Sequence, residues 1–189
     1  VFTYIYNTSG AGQKAFSGNA AGYDPVFGAI SSALSSSDFV AIQSPAVLAM
    51  HVSALPAQAS VGQFINVNVT ITNTGGAGIE NVKAITPTAS AVTYISGTDP
   101  VSVSLSAGAS VTFAWTLSAN SPGTAVITSQ AYGYDINSKV TKTASASAGS
   151  ILIQAAAELT ASIIAPAAVA TGGGPFTVLL SVTNSGSAE

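Results

Sequence analysis

Apolar and polar residues alternate with a period of two along much of this chain. Between Gln63 and Thr72, Ile65, Val67, Val69 and Ile71 fall on one face, and Phe64, Asn66, Asn68 and Thr70 on the other. That is the pattern of a strand with one buried side. Val101, Val103 and Leu105 alternate with Ser102, Ser104 and Ser106, and Val111, Phe113, Trp115 and Leu117 with Thr112, Ala114, Thr116 and Ser118. Turn-forming residues separate the runs at Asn73-Thr74-Gly75-Gly76, Gly97-Thr98-Asp99-Pro100, Ala107-Gly108-Ala109 and Asn120-Ser121-Pro122-Gly123. No stretch sustains a 3.6-residue period; the Ala-rich run 154–158 is the best helical candidate. The pattern predicts strands near 47–54, 62–72, 79–86, 100–105, 110–118, 124–132 and 138–154. About seven short strands with turns roughly every ten residues predict an all-β, two-sheet sandwich of immunoglobulin-like type. Without crossover helices, a parallel α/β fold is excluded.

The same pattern returns 111 residues later. Gly22-Tyr23-Asp24 recurs as Gly133-Tyr134-Asp135, Ile42-Gln43 as Ile153-Gln154, and Thr72-Asn73-Thr74-Gly75 as Thr183-Asn184-Ser185-Gly186. Laid without gaps over 112–159, residues 1–48 share 12 identities, against about three expected by chance; a fixed period marks a tandem array. The expected organisation is the C-terminal part of one immunoglobulin-like repeat at 1–45, a complete sandwich at 46–155 and the N-terminal part of a third repeat at 156–189. Phe2 and Tyr4 then correspond to Phe113 and Trp115. The short junctions near Ser44-Pro45 and Ala155–Ala157 predict semi-rigid stacking. A repeat of this length can bury a core without staples, and it has no cysteine to staple with.

Composition adds a second constraint. Four lysines, no arginine and seven carboxylates make charged residues 6% of the 189-residue chain, with a net charge of −3; an ordinary soluble domain has roughly 25%. Net charge keeps free proteins apart, so an uncharged Ser/Thr/Asn/Gln/Gly surface suits burial in an assembly, a coat of glycans or an acidic exterior. A fold with few carboxylates also has little carboxylate-linked stability to lose at low pH. All three settings lie outside the cell. Mean hydropathy is +0.51, yet no window of 18 residues is continuously apolar, so no membrane span is expected in this segment. Val1-Phe2-Thr3 lacks the features of a signal peptide, which places any signal or anchor outside this stretch. Nucleic acid is excluded as a partner by the scarcity of cations.

Candidate chemistry is sparse. His51 is the sole histidine and has no cysteine partner, so it reads as a half-buried residue of the first strand of the complete repeat and not as a metal ligand. Tyr23-Asp24 and Tyr134-Asp135 admit two readings. One is a calcium loop, which needs several carboxylates where each loop offers one. The other is a turn in which Gly supplies positive φ, Tyr covers the sandwich edge and Asp caps backbone N–H groups. No Ser–His–Asp arrangement can be assembled. Gly172-Gly173-Gly174-Pro175 lacks the lysine and following helix of a phosphate loop. Lys83, Lys139 or Lys142 with Glu80 and an Asn could form an intramolecular isopeptide bond only if desolvated; their Thr/Asn surroundings predict a solvated face. Two sequons, Asn7-Thr8-Ser9 and Asn68-Val69-Thr70, are candidate N-glycosylation sites, with Asn68 on the polar face of its strand. No catalytic residue, cofactor or metal is expected.

Asn73-Thr74-Gly75 closing an alternating strand, then Ile79-Glu80-Asn81-Val82, Ser104-Leu105-Ser106-Ala107-Gly108 ahead of Val111–Leu117, and Pro122-Gly123 opening another strand form a recognisable series. Over Met50–Gly133 and the matching terminal pieces, the chain resembles the CARDB-like immunoglobulin-fold repeats of bacterial and archaeal surface and S-layer proteins. The departures are an Ala/Thr-rich 79–96 region and Gly172–Gly174 in place of part of the 60–63 loop. The resemblance implies extracellular spacers, adhesins and wall-layer components, with no catalytic motif to carry over. The expected function is a non-catalytic structural component of an S-layer, surface stalk or filament, with copies of itself or other surface-layer subunits and N-linked glycans as partners. The alternative is an adhesin or carbohydrate-binding module, free or accessory to a secreted enzyme, stacking sugars on Tyr94, Tyr132 or Phe27.

Overall fold

A computed structural model describes residues 1–98 and 101–188. The predicted turn residues Asp99 and Pro100 lie outside the described residues. Six short strands come first: β1 (Gly12–Lys14), β2 (Ser17–Gly18), β3 (Ala21–Asp24), β4 (Gly28–Ser31), β5 (Ser35–Ser36) and β6 (Val40–Ile42). Nine follow: β7 (Leu48–Leu55), β8 (Gln58–Ser60), β9 (Phe64–Asn73), β10 (Ile79–Ala84), β11 (Val92–Gly97), β12 (Val103–Leu105), β13 (Ser110–Ala119), β14 (Gly123–Asp135) and β15 (Thr141–Gln154). The chain ends with β16 (Leu159–Ile164) and β17 (Leu179–Asn184).

Two sheets drawn from residues 48–154 face each other. One has the order β11-β13-β9-β7 and the other β12-β10-β14-β15-β8. The alternating faces dictate their contact. Ile65, Val67, Val69 and Ile71 of β9 are each 0% exposed, and Phe113, Trp115 and Leu117 of β13 are buried beside them. Opposite them lie Ile79 and Val82 of β10, Ala125, Ile127 and Ala131 of β14, and Ile151 and Ile153 of β15. Each full burial of such a side chain stabilises the fold by about 1.5–3 kcal/mol. The β7–β8 stretch divides between the sheets: β7 pairs antiparallel with β9, and β8 pairs parallel with the end of β15. This is an immunoglobulin-like sandwich, and the described residues contain no helix.

Several sequence expectations are corrected. Of the strand expected over 100–105, the described residues form β12 at Val103–Leu105, and Val101 is 71% exposed. Strands β8 and β11 carry too few alternating apolar positions to declare themselves. The final strand starts at Thr141, three residues later than expected, and carries a register shift against β14 between Ser147 and Ser150. Residues 1–9, matched to β13 by sequence, form no strand.

Candidate functional site

Two buried polar side chains hold one end of the sandwich together. Asn73, at the end of β9, is 0% exposed. Its Oδ1 accepts from Val47 N–H at 3.3 Å and Gly75 N–H at 3.1 Å, and its Nδ2 donates to the Ala77 carbonyl at 2.8 Å and the Leu105 carbonyl at 3.3 Å. One amide thereby ties the chain entering β7, the β9–β10 turn and β12. Asp135, at the end of β14, is 1% exposed. Its Oδ2 accepts from Ala46 N–H at 2.7 Å and its Oδ1 from Asn137 and Ser138 N–H, each at 2.9 Å. The Ser138 and Ala46 N–H groups, joined by that of Asn137, pull the Asp135 carboxyl from 3.8 to about 2, outweighing the burial that pushes it up. Every buried side-chain polar atom among the described residues has a hydrogen-bond partner, as a buried polar network requires.

Both locks reappear at the repeat distance. Asn184 Oδ1 accepts from Glu158 and Gly186 N–H, and its Nδ2 donates to the Ala188 carbonyl. Those partners stand 111 positions after Val47, Gly75 and Ala77. Asp24 Oδ1 accepts from Val26 and Phe27 N–H at 2.8 and 2.9 Å; the Phe27 and Val26 bonds lower its pKa. Strand register follows the same offset except at β3–β4, where Ala21↔Ser31 is one residue out of step with Tyr132↔Thr143. Gly12↔Ile42 and Ser17↔Ser36 match Gly123↔Ile153 and Thr128↔Ser147, while Leu159↔Asn184 through Ile164↔Leu179 match Leu48↔Asn73 through Ser53↔Asn68. A Cβ on Gly75 would strike the Pro45 carbonyl, and one on Gly186 the Ala156 carbonyl, again 111 apart.

These contacts are the backbone caps that the turn reading of the Tyr-Asp pairs expects of Asp. Both carboxylates grip backbone N–H groups, and no group of three or more potential metal-ligating side chains occurs among the described residues. The glycine half of the turn reading needs correction, because neither Gly22 nor Gly133 has positive φ. A Cβ on Gly133 would lie 3.0 Å from side-chain carbons of both Ile79 and Val82, so there the constraint is space. Sequence reasoning saw Asn73 only as a turn residue. Its recurrence as Asn184 was the available signal that it does more.

The remaining candidates are dispersed. His51 lies on β7 opposite Thr70 and is exposed, contrary to the half-buried expectation. Lys139 Nζ meets Glu80 Oε1 at 2.7 Å, with the two side chains 64% and 32% exposed. This is a solvated ion pair, worth at most about 1 kcal/mol, and far from the dry pairing an isopeptide bond demands. Asn68 stands exposed on β9, and Asn7 is exposed in the stretch before β1. Gly172 has φ +75° in a turn with no helix after it. Tyr94 is on β11, Tyr132 on β14 of the other sheet, and Phe27 in the β3–β4 turn, so the three do not form one stacking platform. No helix among the described residues is long and apolar enough to cross a membrane.

No family model matches this chain, and no curated protein matches it. Among solved structures, it is similar to native alpha-2-macroglobulin from Escherichia coli, in a structure spanning domain MG7 to the C-terminus: TM-score 0.49, 18% identity, 64% of this chain and only 19% of that one covered. It is also similar to a CARDB domain from Pyrococcus furiosus solved in complex with di-metal ions, at TM-score 0.37 and 16% identity, covering 58% and 97% of the two chains. A PapD-like domain of human CEP192 gives TM-score 0.38 and 11% identity, covering 56% and 86%. The immunoglobulin-like assignment itself rests on the strand order and pairing described above.

Proposed function

We propose that this chain is a non-catalytic structural part of an extracellular assembly on a prokaryotic cell, an S-layer, surface stalk or filament built from immunoglobulin-like repeats stacked every 111 residues. The observation that carries this reading is the recurrence of the Asn and Asp locks at that period, with three of the four Asn73 bonds and two of the three Asp135 bonds reproduced. A repeat that reproduces backbone register and junction hydrogen bonds sets a length and a direction, as a stacked module does. At the junction, Ser44 accepts from Ala77 N–H through its carbonyl and from Gly76 N–H through its Oγ. The incoming strand is therefore gripped by the next sandwich, which suits a semi-rigid stalk. The near absence of charge fits a surface covered by neighbours or by glycans on Asn7 and Asn68. Cryo-electron microscopy of native surface material tests the reading. A regular lattice or filament with a module repeat and sugar density at the two asparagines supports it, and isolated bare particles overturn it.

A further inference from the structure

The outer edge of β15 is used at one end and open at the other. Near its C-terminus, Leu152 N–H donates to Ala57 O at 3.0 Å and Gln154 O accepts from Val61 N–H at 2.9 Å, alongside β8. From Thr141 to Ile151, β15 pairs with β14 alone among the described residues. The direction of its free groups follows from the opposite strand. Gln130 O accepts from Ile85 N–H at 2.7 Å, and Thr128 exchanges both main-chain bonds with Thr88 at 2.9 Å, so these two residues turn their main-chain groups away from β15. In an antiparallel ladder, a residue's N–H and C=O point to the same side. Gln130 and Thr128 stand opposite Ser145 and Ser147. The main-chain groups of Ser145 and Ser147, and of Thr143 by alternation, therefore project into the open edge.

Natural edges are blunted by proline, charge or bulges. Here Lys142 guards only the start and the register shift lies beyond Ser147, leaving Thr143–Ser147 with small, uncharged side chains. We infer that this edge pairs with the same edge of a second copy, antiparallel about a two-fold axis through Ser145. That register makes the outward groups coincide, Ser145 with Ser145 and Thr143 with Ser147 of the second copy, giving about six main-chain hydrogen bonds. It sets Ala144 against Ala146, and Lys142 against Ala148, so no like charges meet. It also places hydroxyls opposite hydroxyls, an arrangement the other sheet already uses at Thr70–Thr112 (2.9 Å) and Thr72–Ser110 (2.8 Å). Registers centred on neighbouring residues also set outward groups against outward groups, but the axis through Ser145 keeps all of the main-chain bonds within the small, uncharged Thr143–Ser147 stretch. The result is two five-stranded sheets fused into one, a lateral bond between neighbouring stalks; this rests on the assembly reading above and names its partner.

The test is sedimentation equilibrium of the full chain with Ser145→Lys, Ser145→Glu and an equimolar mixture of the two. The symmetry axis puts residue 145 opposite itself, so each variant alone faces like charge and the mixture faces opposite charge. Dimerisation weakened about tenfold or more in each variant, and restored in the mixture, supports the pairing. Circular dichroism and the emission of buried Trp115 check that the exposed substitution leaves the fold intact. Self-association indifferent to residue 145 overturns the edge pairing and leaves the assembly reading standing. A wild-type chain that stays monomeric at every concentration counts against both.

Discussion

Matched positions in the central sandwich and in the segments flanking it carry the same pattern and meet opposite fates. Phe113, Trp115 and Leu117 are 3%, 3% and 1% exposed, whereas Phe2, Tyr4 and Tyr6, 111 positions earlier, are 89%, 74% and 64% exposed. Leu48 and Val52 are buried, while Leu159 and Ile163, 111 positions later, are 73% and 70% exposed. Pairing at β1–β6, β2–β5 and β16–β17 nevertheless follows the central register, and only β3–β4 is shifted, by one residue. Ladder and turn geometry are thus local properties of the repeat, and burial needs the second sheet. The comparison also bears on sugar binding. The aromatic surface at Phe2, Tyr4, Tyr6 and Phe16 resembles a stacking platform, with Tyr6 and Phe16 rings 4.7 Å apart, yet Phe2, Tyr4 and Tyr6 occupy core positions of the repeat.

The largest expected contrast is at the core. Leu117→Ala should cost about 2–5 kcal/mol, read as a lower urea midpoint with the buried tryptophan as probe, while Tyr6→Ala at the matched position should leave that midpoint unmoved. An equal loss at both sites would mean that the flank is packed like the core.

Next comes the carboxylate lock. Asp135→Ala strands the buried Ala46 N–H and frees two partly buried turn N–H groups, and should cost about 1–3 kcal/mol at neutral pH; Asp24→Ala should not shift the central transition. The folded pKa of Asp135 lies below its unfolded value, so its contribution is present above pH 3.8 and is lost as pH falls through about 2. Acid titration of stability should show this loss in the wild type, and Asp135→Asn should flatten it.

Gly133→Ala should cost about 1–3 kcal/mol through the clash with Ile79 and Val82. Gly22→Ala, whose nearest side-chain atom would be 3.8 Å away, should be neutral in the same denaturation series. Smallest of all, Asn68→Gln should leave the unfolding midpoint unchanged and abolish glycan on the Asn68 peptide of native material, as mass spectrometry would show. An unmodified Asn68 peptide from that source would refute the assignment.

How much of this was legible beforehand depends on the kind of residue. Alternation at Ile65–Ile71 and Phe113–Leu117 declares both strand and buried face, because a period of two has one physical reading. Recurrence of Tyr-Asp and Asn-Thr-Gly marks structural locks, although not which atoms they hold. His51 misled because an isolated residue carries no period, and Val101 because its alternating run extends beyond the strand that forms at Val103–Leu105. Strands β8 and β11 were invisible because pairing with a neighbour, and not their own pattern, orders them.

By itself the sequence determined an all-β chain, the 111-residue period, the buried faces of the long strands and the poverty of charge. These follow from side-chain alternation, turn chemistry and composition, which act over a few residues at a time. Only the tertiary structure decided that Asn73 and Asp135 are buried clamps, that Gly133 is required for space and that half of β15 lies open. Each of those depends on which backbone groups distant segments bring together, and no local pattern encodes that meeting.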